Sequence, residues 1–453
     1  HGVFDLLHIG HIKHFQKAKN LGDLLIVTLT PDKFVNKGPT KPAFKEELRL
    51  EAVAALDVVD FVSLNNTPTA ISAILKLKPN FYCKGSDYKK NQNDVSGQIK
   101  NEIKAVKKLG GKIVYTQEVS FSSSMLLNKY GNILGDEERL FINRIKKKYN
   151  FSQIRKLIEN FSRLKVLVIG ETIIDQYVFC EALGKSGKEP VLVLRDIKME
   201  EYLGGAAAIS RHLSKFCSKI SLLSMVGEKG EYLEDIKRKL PKNITFNYIK
   251  KNNSPRILKK RFIDNSSATN NKVLGVYKIN DEILKSKDEK LFTKMLKKTI
   301  PNYDLVIVSD YGHGLISKKN AGLICKLSKY LALNAQVNAA NIGYHSMRNY
   351  KNINCVIINE NEIMHEMRNK NDKIEFLMKE LSFKQNVKNL IVTRGTRGAI
   401  LYNKKDKKFT TCGAYAKTAV DKIGAGDSML SVVALCLKSG FDRELALLIA
   451  SLA

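Results

Sequence analysis

The stretch Ala419-Val420-Asp421-Lys422-Ile423-Gly424-Ala425-Gly426-Asp427-Ser428 decides how the larger part of this 453-residue chain is read. Gly424, Ala425 and Gly426 stand between a polar, extended approach and the apolar run Met429 to Leu437, which predicts a turn opening a buried helix. Backbone N–H groups at such a helix start point outward, and the helix dipole favours an anion there by roughly 0.3–1 kcal/mol. Asp427 stands beside that anion hole. A carboxylate within reach of a substrate hydroxyl acts as general base while the amides hold the charge that develops on a transferred phosphoryl group. Taken alone, G-x-G-D reads equally well as a glycine turn with an Asp cap.

Context upstream decides between the two. Lys165 to Gly170 is an apolar strand ending in Gly, followed by Glu171 to Asp175, and Gly204-Gly205-Ala-Ala-Ala208 opens a helix with residues small enough for a ligand to lie on the backbone. Arg261 sits in the basic extended run Lys259 to Asp264, and Asp304 to Asp310 is a buried strand meeting the turn Tyr311-Gly312. Val356-Ile-Ile-Asn359-Glu-Asn-Glu362 and Leu390-Ile-Val-Thr393-Arg394-Gly395 are further strands ending in polar turns.

In this order the pieces resemble the ribokinase-like (PfkB) carbohydrate kinases. The resemblance implies a doubly wound α/β kinase with a small β lid over residues 163–453, with Asp427 as catalytic base. It also implies ATP phosphates on Thr393, Arg394, Gly424, Ala425 and Gly426, and sugar contacts from Asp175, Gly204, Gly205, Arg261 and Asp310. Asn359 and Glu362 would organise Mg²⁺ indirectly, a carboxamide and a carboxylate with retained waters suiting that ion. Two departures stand out: His313 where heptose kinases carry Lys, and Gln336-Val-Asn-Ala-Ala-Asn341 where a D-P-K segment is expected.

The chain opens on Gly2-Val-Phe4-Asp5-Leu-Leu-His8-Ile-Gly-His11, which runs into a helical pattern and then the strand-like Leu24 to Leu29. Two imidazoles three residues apart at a helix start can converge on a phosphate and donate N–H groups to a pentacoordinate phosphorus. Lys37, Arg49 at a helix start, Lys84 with Asp87, and Ser122-Ser123-Ser124 follow. The set resembles the cytidylyltransferase-like nucleotidyltransferases, a Rossmann-like fold expected over residues 1–130. That resemblance implies attack of a phosphate monoester on the α-phosphate of a nucleoside triphosphate, stabilised by His8 and His11 with Gly2 and Phe4 beside the nucleotide. Lys37, Arg49, Lys84 and Asp87 would hold triphosphate or substrate charge, and the three serines would bind the β/γ side. H-I-G-H also occurs in class I aminoacyl-tRNA synthetases, but the chain has no K-M-S-K-S-like loop.

Composition bounds the rest. Hydrophobic content of 44% is ample for cores, and no apolar run approaches the ~20 residues of a membrane span. Seven cysteines without a C-x-x-C pair fit reduced thiols of a cytoplasmic protein rather than a disulfide or zinc framework. The net charge of +31 is carried by lysines spread along the chain, which argues for compositional bias over a nucleic-acid partner. Residues 131–162 read as an amphipathic connecting helix packed on the second domain, its lysines a solvated face. His1 without Met, and Ala453 inside an apolar helical pattern, read as cut ends.

The whole resembles the bifunctional heptose kinase/adenylyltransferases of ADP-heptose biosynthesis, with the domain order reversed. The implied partners are a sugar phosphate and a nucleoside triphosphate, with no membrane and with a homo-oligomer left open. The first domain would take ATP, or CTP if the product is a CDP-sugar or CDP-polyol. An RNA-binding protein on a retired catalytic scaffold is the reading from another class.

Overall fold

Strands built from short apolar runs, each followed by a helix, give the chain its order, and the contacts divide it into His1–Gly135 and Asp136–Ala453. The computed structural model describes residues 1–35, 42–85, 99–116, 135–264, 271–336, 341, 345–415 and 424–453. None of the helices among these residues is long and apolar enough to cross a membrane.

In the first unit, β1 (Ile26–Leu29) pairs in parallel with β2 (Phe61–Leu64), and β3 (Phe81–Gly85) with β4 (Lys112–Thr116). Gly2 bridges to Leu29 on the same side as a first strand would. Parallel neighbours need crossover connections, and helices Ile9–Lys19, Glu46–Ala54 and Ile99–Lys108 lie in those connections. Phe15 of the first helix meets Val27, Leu29 and Val53 in a small core.

The second unit is larger. Helices Asp136–Lys148 and Phe151–Glu159 belong to it, with Phe141 and Ile145 buried in its core. The expected single connecting helix is thus two helices, broken where Asn150 caps the second through a reciprocal bond with Gln153. Nor is every lysine there merely solvated, since Lys148 pairs with Asp442 and Glu444 at 3.1 and 2.7 Å.

The central sheet contains β5 (Lys165–Gly170), β8 (Lys219–Gly227), β9 (Ile244–Lys251), β12 (Leu305–Asp310), β13 (Leu331–Ala335), β14 (Cys355–Asn359), β15 (Asn389–Thr393), β16 (Ala399–Asn403) and β17 (Lys408–Cys412). Their order is β17-β16-β15-β14-β13-β12-β5-β8-β9, parallel except for the antiparallel β15-β16-β17 edge. Helices cover both faces, which is why β5 and β12 are nearly continuous apolar runs. Val166 and Val168 face one core while Leu167 and Ile169 face the other.

Because β5 has β8 on one side and β12 on the other, the strand order reverses there. Carboxyl ends of strands at such a point form a crevice. A second sheet, β11-β10-β6-β7, is built from β6 (Thr172–Lys185), β7 (Leu192–Gly205), β10 (Leu258–Asp264) and β11 (Asn271–Lys278) and supplies the lid.

Candidate active sites

At the carboxyl edge of the large sheet lies a cleft of about 820 Å³. Strand register explains its lining. Asn359 and Thr393 are direct partners at the ends of β14 and β15, and Gln336 follows β13. From the lid, the pairing of β6 with β10 sets Asp175 opposite Lys259 and two residues from Arg261, and all three reach the cleft. The Gly424-Ala425-Gly426-Asp427 turn closes the far side and opens helix Ala425–Lys438.

Gly424 has a left-handed φ of 82°, so the turn itself calls for glycine. Gly426 is different. Its φ is ordinary, and a Cβ there would meet nothing within 4 Å, so neither strain nor a protein neighbour demands a glycine. The open space is on a cleft-lining residue at a helix N-terminus, where an anion gains most from close approach.

Asp427 is partly exposed, and its carboxyl is pushed up to about 7, first by burial and further by the like charges of Asp175 and Glu362. A hydrogen bond from Tyr311 and the charge of Lys259 pull the other way. The Tyr311 hydroxyl donates to Oδ1 and Oδ2 at 3.1 and 3.2 Å. Lys259 is buried, its pKa lowered chiefly by desolvation, and its Nζ lies 5.2 Å from the centre of the Tyr311 ring. Arg261 is ion-paired to Asp175.

Asn359 and Glu362 form a capping box: Glu362 N donates to Asn359 Oδ1 at 2.8 Å, and Asn359 N to Glu362 Oε2 at 2.7 Å. Both also line the cleft, but among the described residues no cluster of three ligating side chains exists to cage a metal. Their donor set fits Mg²⁺ held through waters. Thr393, Arg394 and Gly205 line the cleft as well.

Two expected sugar contacts sit behind the wall instead. A Cβ on Gly204 would fall 2.1 Å from Asp175 Oδ2, so this glycine makes room for that carboxylate. Asp310 is buried and accepts from Tyr350 Oη at 2.7 Å and Gly312 N at 3.0 Å, which fixes the turn after β12. The unusual His313 is fully buried, with Nδ1 2.7 Å from Asp281 Oδ1. Sequence reasoning passed over Glu171, Lys259 and Tyr311. Glu171, buried with its carboxyl at about 7 through desolvation and the nearby Asp310, accepts from the backbone N–H groups of Tyr311 and His313 at 3.0 and 3.2 Å.

The first unit holds the paired imidazoles at the start of helix Ile9–Lys19. His8 is the N-cap, its Nδ1 accepting from Gly10 N at 3.1 Å, so the ring proton belongs on Nε2. Nε2 is buried without a hydrogen-bond partner among the described residues. Burial also lowers the His8 pKa, keeping the ring neutral. His8 and His11 stack with centroids 3.9 Å apart, and Phe4 packs edge-on against His11 at 5.5 Å. Phe4 has a left-handed φ of 49°. Gly2 is fixed by backbone bonds to Thr28 and Thr30, and its Cβ would sit 3.0 Å from the Phe4 ring.

Arg49 corrects the expectation placed on it. Only 1% exposed, it donates to the carbonyls of Val3, Thr30 and Phe44 and to Asp32, which binds loops of this unit together and engages four of its five N–H donors. It lies within the helix that starts at Glu46 rather than opening it. Lys84, also buried, lies 3.4 Å from Glu102. Lys37, Asp87, Ser122, Ser123 and Ser124 lie outside the described residues.

Comparison with known proteins agrees with both halves. Residues 1–129 match the cytidylyltransferase-like family model, and residues 163–453 match the pfkB family carbohydrate kinase model. The "Bifunctional protein HldE" of Citrifermentans bemidjiense is 38% identical over 131 residues, 28% of this chain and 26% of that protein. The protein of the same name from Campylobacter jejuni subsp. doylei is 25% identical over 285 residues, 61% of this chain and 57% of its own length. The chain thus spans less than two thirds of these curated relatives. Among solved structures, phosphofructokinase-2 from Escherichia coli in complex with potassium shares the fold, with a TM-score of 0.51 at 13% identity over 64% of this chain and 90% of that one. Over residues 163–453, more than half of its length, the chain belongs to the pfkB carbohydrate kinase family.

Proposed function

We propose that this protein is a bifunctional enzyme that makes a nucleotide-activated sugar, a kinase acting at an anomeric hydroxyl joined to a nucleotidyltransferase acting on the resulting sugar 1-phosphate. The observation that carries the kinase half is one cleft gathering Asp427, the open Gly426 amide turn, the Asp175–Arg261 pair and the Asn359/Glu362 cap.

In the kinase cleft, the sugar hydroxyl gives its proton to Asp427 as its oxygen attacks the γ-phosphorus of ATP, and ADP leaves. A base whose pKa lies near 7 is well matched to that task. The amides of the Gly424 to Asp427 turn hold charge on the transferred group, and Asp175 with Arg261 orients the sugar. Asn359 and Glu362 would hold Mg²⁺ through waters, and the ion would neutralise phosphate charge when bound. Thr393 and Arg394 face the nucleotide side.

In the first unit, an oxygen of the sugar phosphate attacks the α-phosphorus of a nucleoside triphosphate and pyrophosphate leaves. His8 and His11 donate to the oxygens of that phosphorus. The stacking of the two rings, the neutrality of His8 and its unsatisfied Nε2–H support this role. Lys84 and the residues 37, 87 and 122–124 are assigned to phosphate charge. The resemblance to the heptose kinase/adenylyltransferases, with relatives named Bifunctional protein HldE, supports a heptose 7-phosphate as the sugar and an adenylyl group as the one transferred.

The test offers the full-length protein heptose 7-phosphate, hexose phosphates and glycerol phosphate, each with ATP and with CTP. ADP formation from a heptose phosphate, followed by pyrophosphate release from ATP with the 1-phosphate, is the expected result. Pyrophosphate release with CTP alone replaces the adenylyl assignment, and no turnover with any sugar phosphate overturns the proposal.

A further inference from the structure

We infer that Tyr311 is the positioning residue of Asp427, its hydroxyl shared between the two carboxylate oxygens so that the outer lone pairs of the carboxylate are directed into the cleft. The inference rests on the phosphoryl-transfer reading above and adds a residue to it.

The geometry is specific. No other described residue donates a hydrogen bond to the Asp427 side chain, whereas the Tyr311 hydroxyl lies within 3.1 and 3.2 Å of its two oxygens. The tyrosine is 5% exposed and cannot swing freely. Its backbone is gripped from both sides: Tyr311 N donates to Glu171 Oε2 at 3.0 Å, and its carbonyl accepts from Asn341 Nδ2 at 2.8 Å. Gly312 takes a left-handed φ of 70°, and a Cβ there would strike Asn341 Nδ2 at 2.6 Å, so the turn admits little else. This also gives Glu171 a purpose: a buried acid that does not line the cleft fixes the turn that aims the phenol.

A single donor matters because the surroundings of Asp427 oppose ionisation. Asp175 on β6 and Glu362 at the start of helix Glu360–Met367 are like charges, with Arg261 partly offsetting the first, and Lys259 on β10 is the cation facing the site. A hydrogen bond to the charged form favours that form. Without the phenol, Asp427 keeps its proton to higher pH.

The test is the pH dependence of kcat/KM for phosphorylation of heptose 7-phosphate by the full-length protein with ATP and Mg²⁺. In Tyr311→Phe the ascending limb should move up by about one pH unit, as expected for losing one bond to a charged acceptor. Replacing Tyr311 with 3-fluorotyrosine, a stronger donor, should move the limb down, and it keeps the ring where removal of the hydroxyl disturbs folding. Opposite shifts in the two variants establish the assignment. An unmoved limb, or lower rates with unchanged pH dependence in both, overturns it and leaves Tyr311 a packing residue. Failure of the kinase reading itself would look different: the unaltered protein would then form no ADP with any sugar phosphate.

Discussion

The two candidate sites treat charge in opposite ways. In the cleft of the second unit, carboxylates and cations crowd together, and the acid at the centre is raised to about 7. Around the paired imidazoles of the first unit the rings are half-buried and stacked, His8 is kept neutral, and Arg49 is turned to carbonyls and Asp32. The attacking groups of the proposed reactions would account for the difference. A sugar hydroxyl must lose a proton to become a nucleophile, so its site needs a base; a phosphate monoester is already an anion at neutral pH, so its site needs only donors for the transition state.

That contrast can be broken most sharply at Asp427. Asp427→Asn should lower sugar phosphorylation about 10²–10⁴-fold, the usual cost of losing a general base, while nucleotidyl transfer to a supplied sugar 1-phosphate continues. A parallel loss of both activities would contradict the separation. Next in size, His11→Ala should reduce pyrophosphate release about 10²–10³-fold, as for removal of one transition-state donor, with ADP formation spared.

Arg49 sharpens the comparison from the side of stability. Arg49→Met orphans the carbonyls of Val3, Thr30 and Phe44 and should destabilise the first unit by on the order of 3 kcal/mol, read as a lower denaturant midpoint for loss of pyrophosphate release. An unchanged midpoint with a raised KM for the triphosphate would return Arg49 to the binding role.

Much of the second unit was legible in the amino-acid order because its strands are buried on both faces and stand out as apolar runs such as Leu305 to Val308. The Gly424 to Asp427 turn was legible for a similar reason, three small residues abutting a buried helix. What was not legible depends on register. Glu171 and Tyr311 are 140 positions apart and meet because β5 lies beside β12, with Gly170 opposite Ser309. Arg49 misled because three of its four partners are carbonyls, which carry no sequence signature, on loops up to 46 positions away. Gly204 looked like a ligand contact, yet it is small because the carboxylate of Asp175 occupies the place of its Cβ.

The central claim, a base-dependent reaction in one unit and a base-free one in the other, is tested most directly by the pH profiles of the two activities in a single preparation. As the proposed base, Asp427 would be protonated below its raised pKa and competent above it, so phosphorylation should fall as pH drops through about 7. The His8 pKa is lowered, so nucleotidyl transfer should show no break in that range. A shared limb near pH 7, or a kinase rate that is flat from pH 5.5 to about 8, would contradict the account.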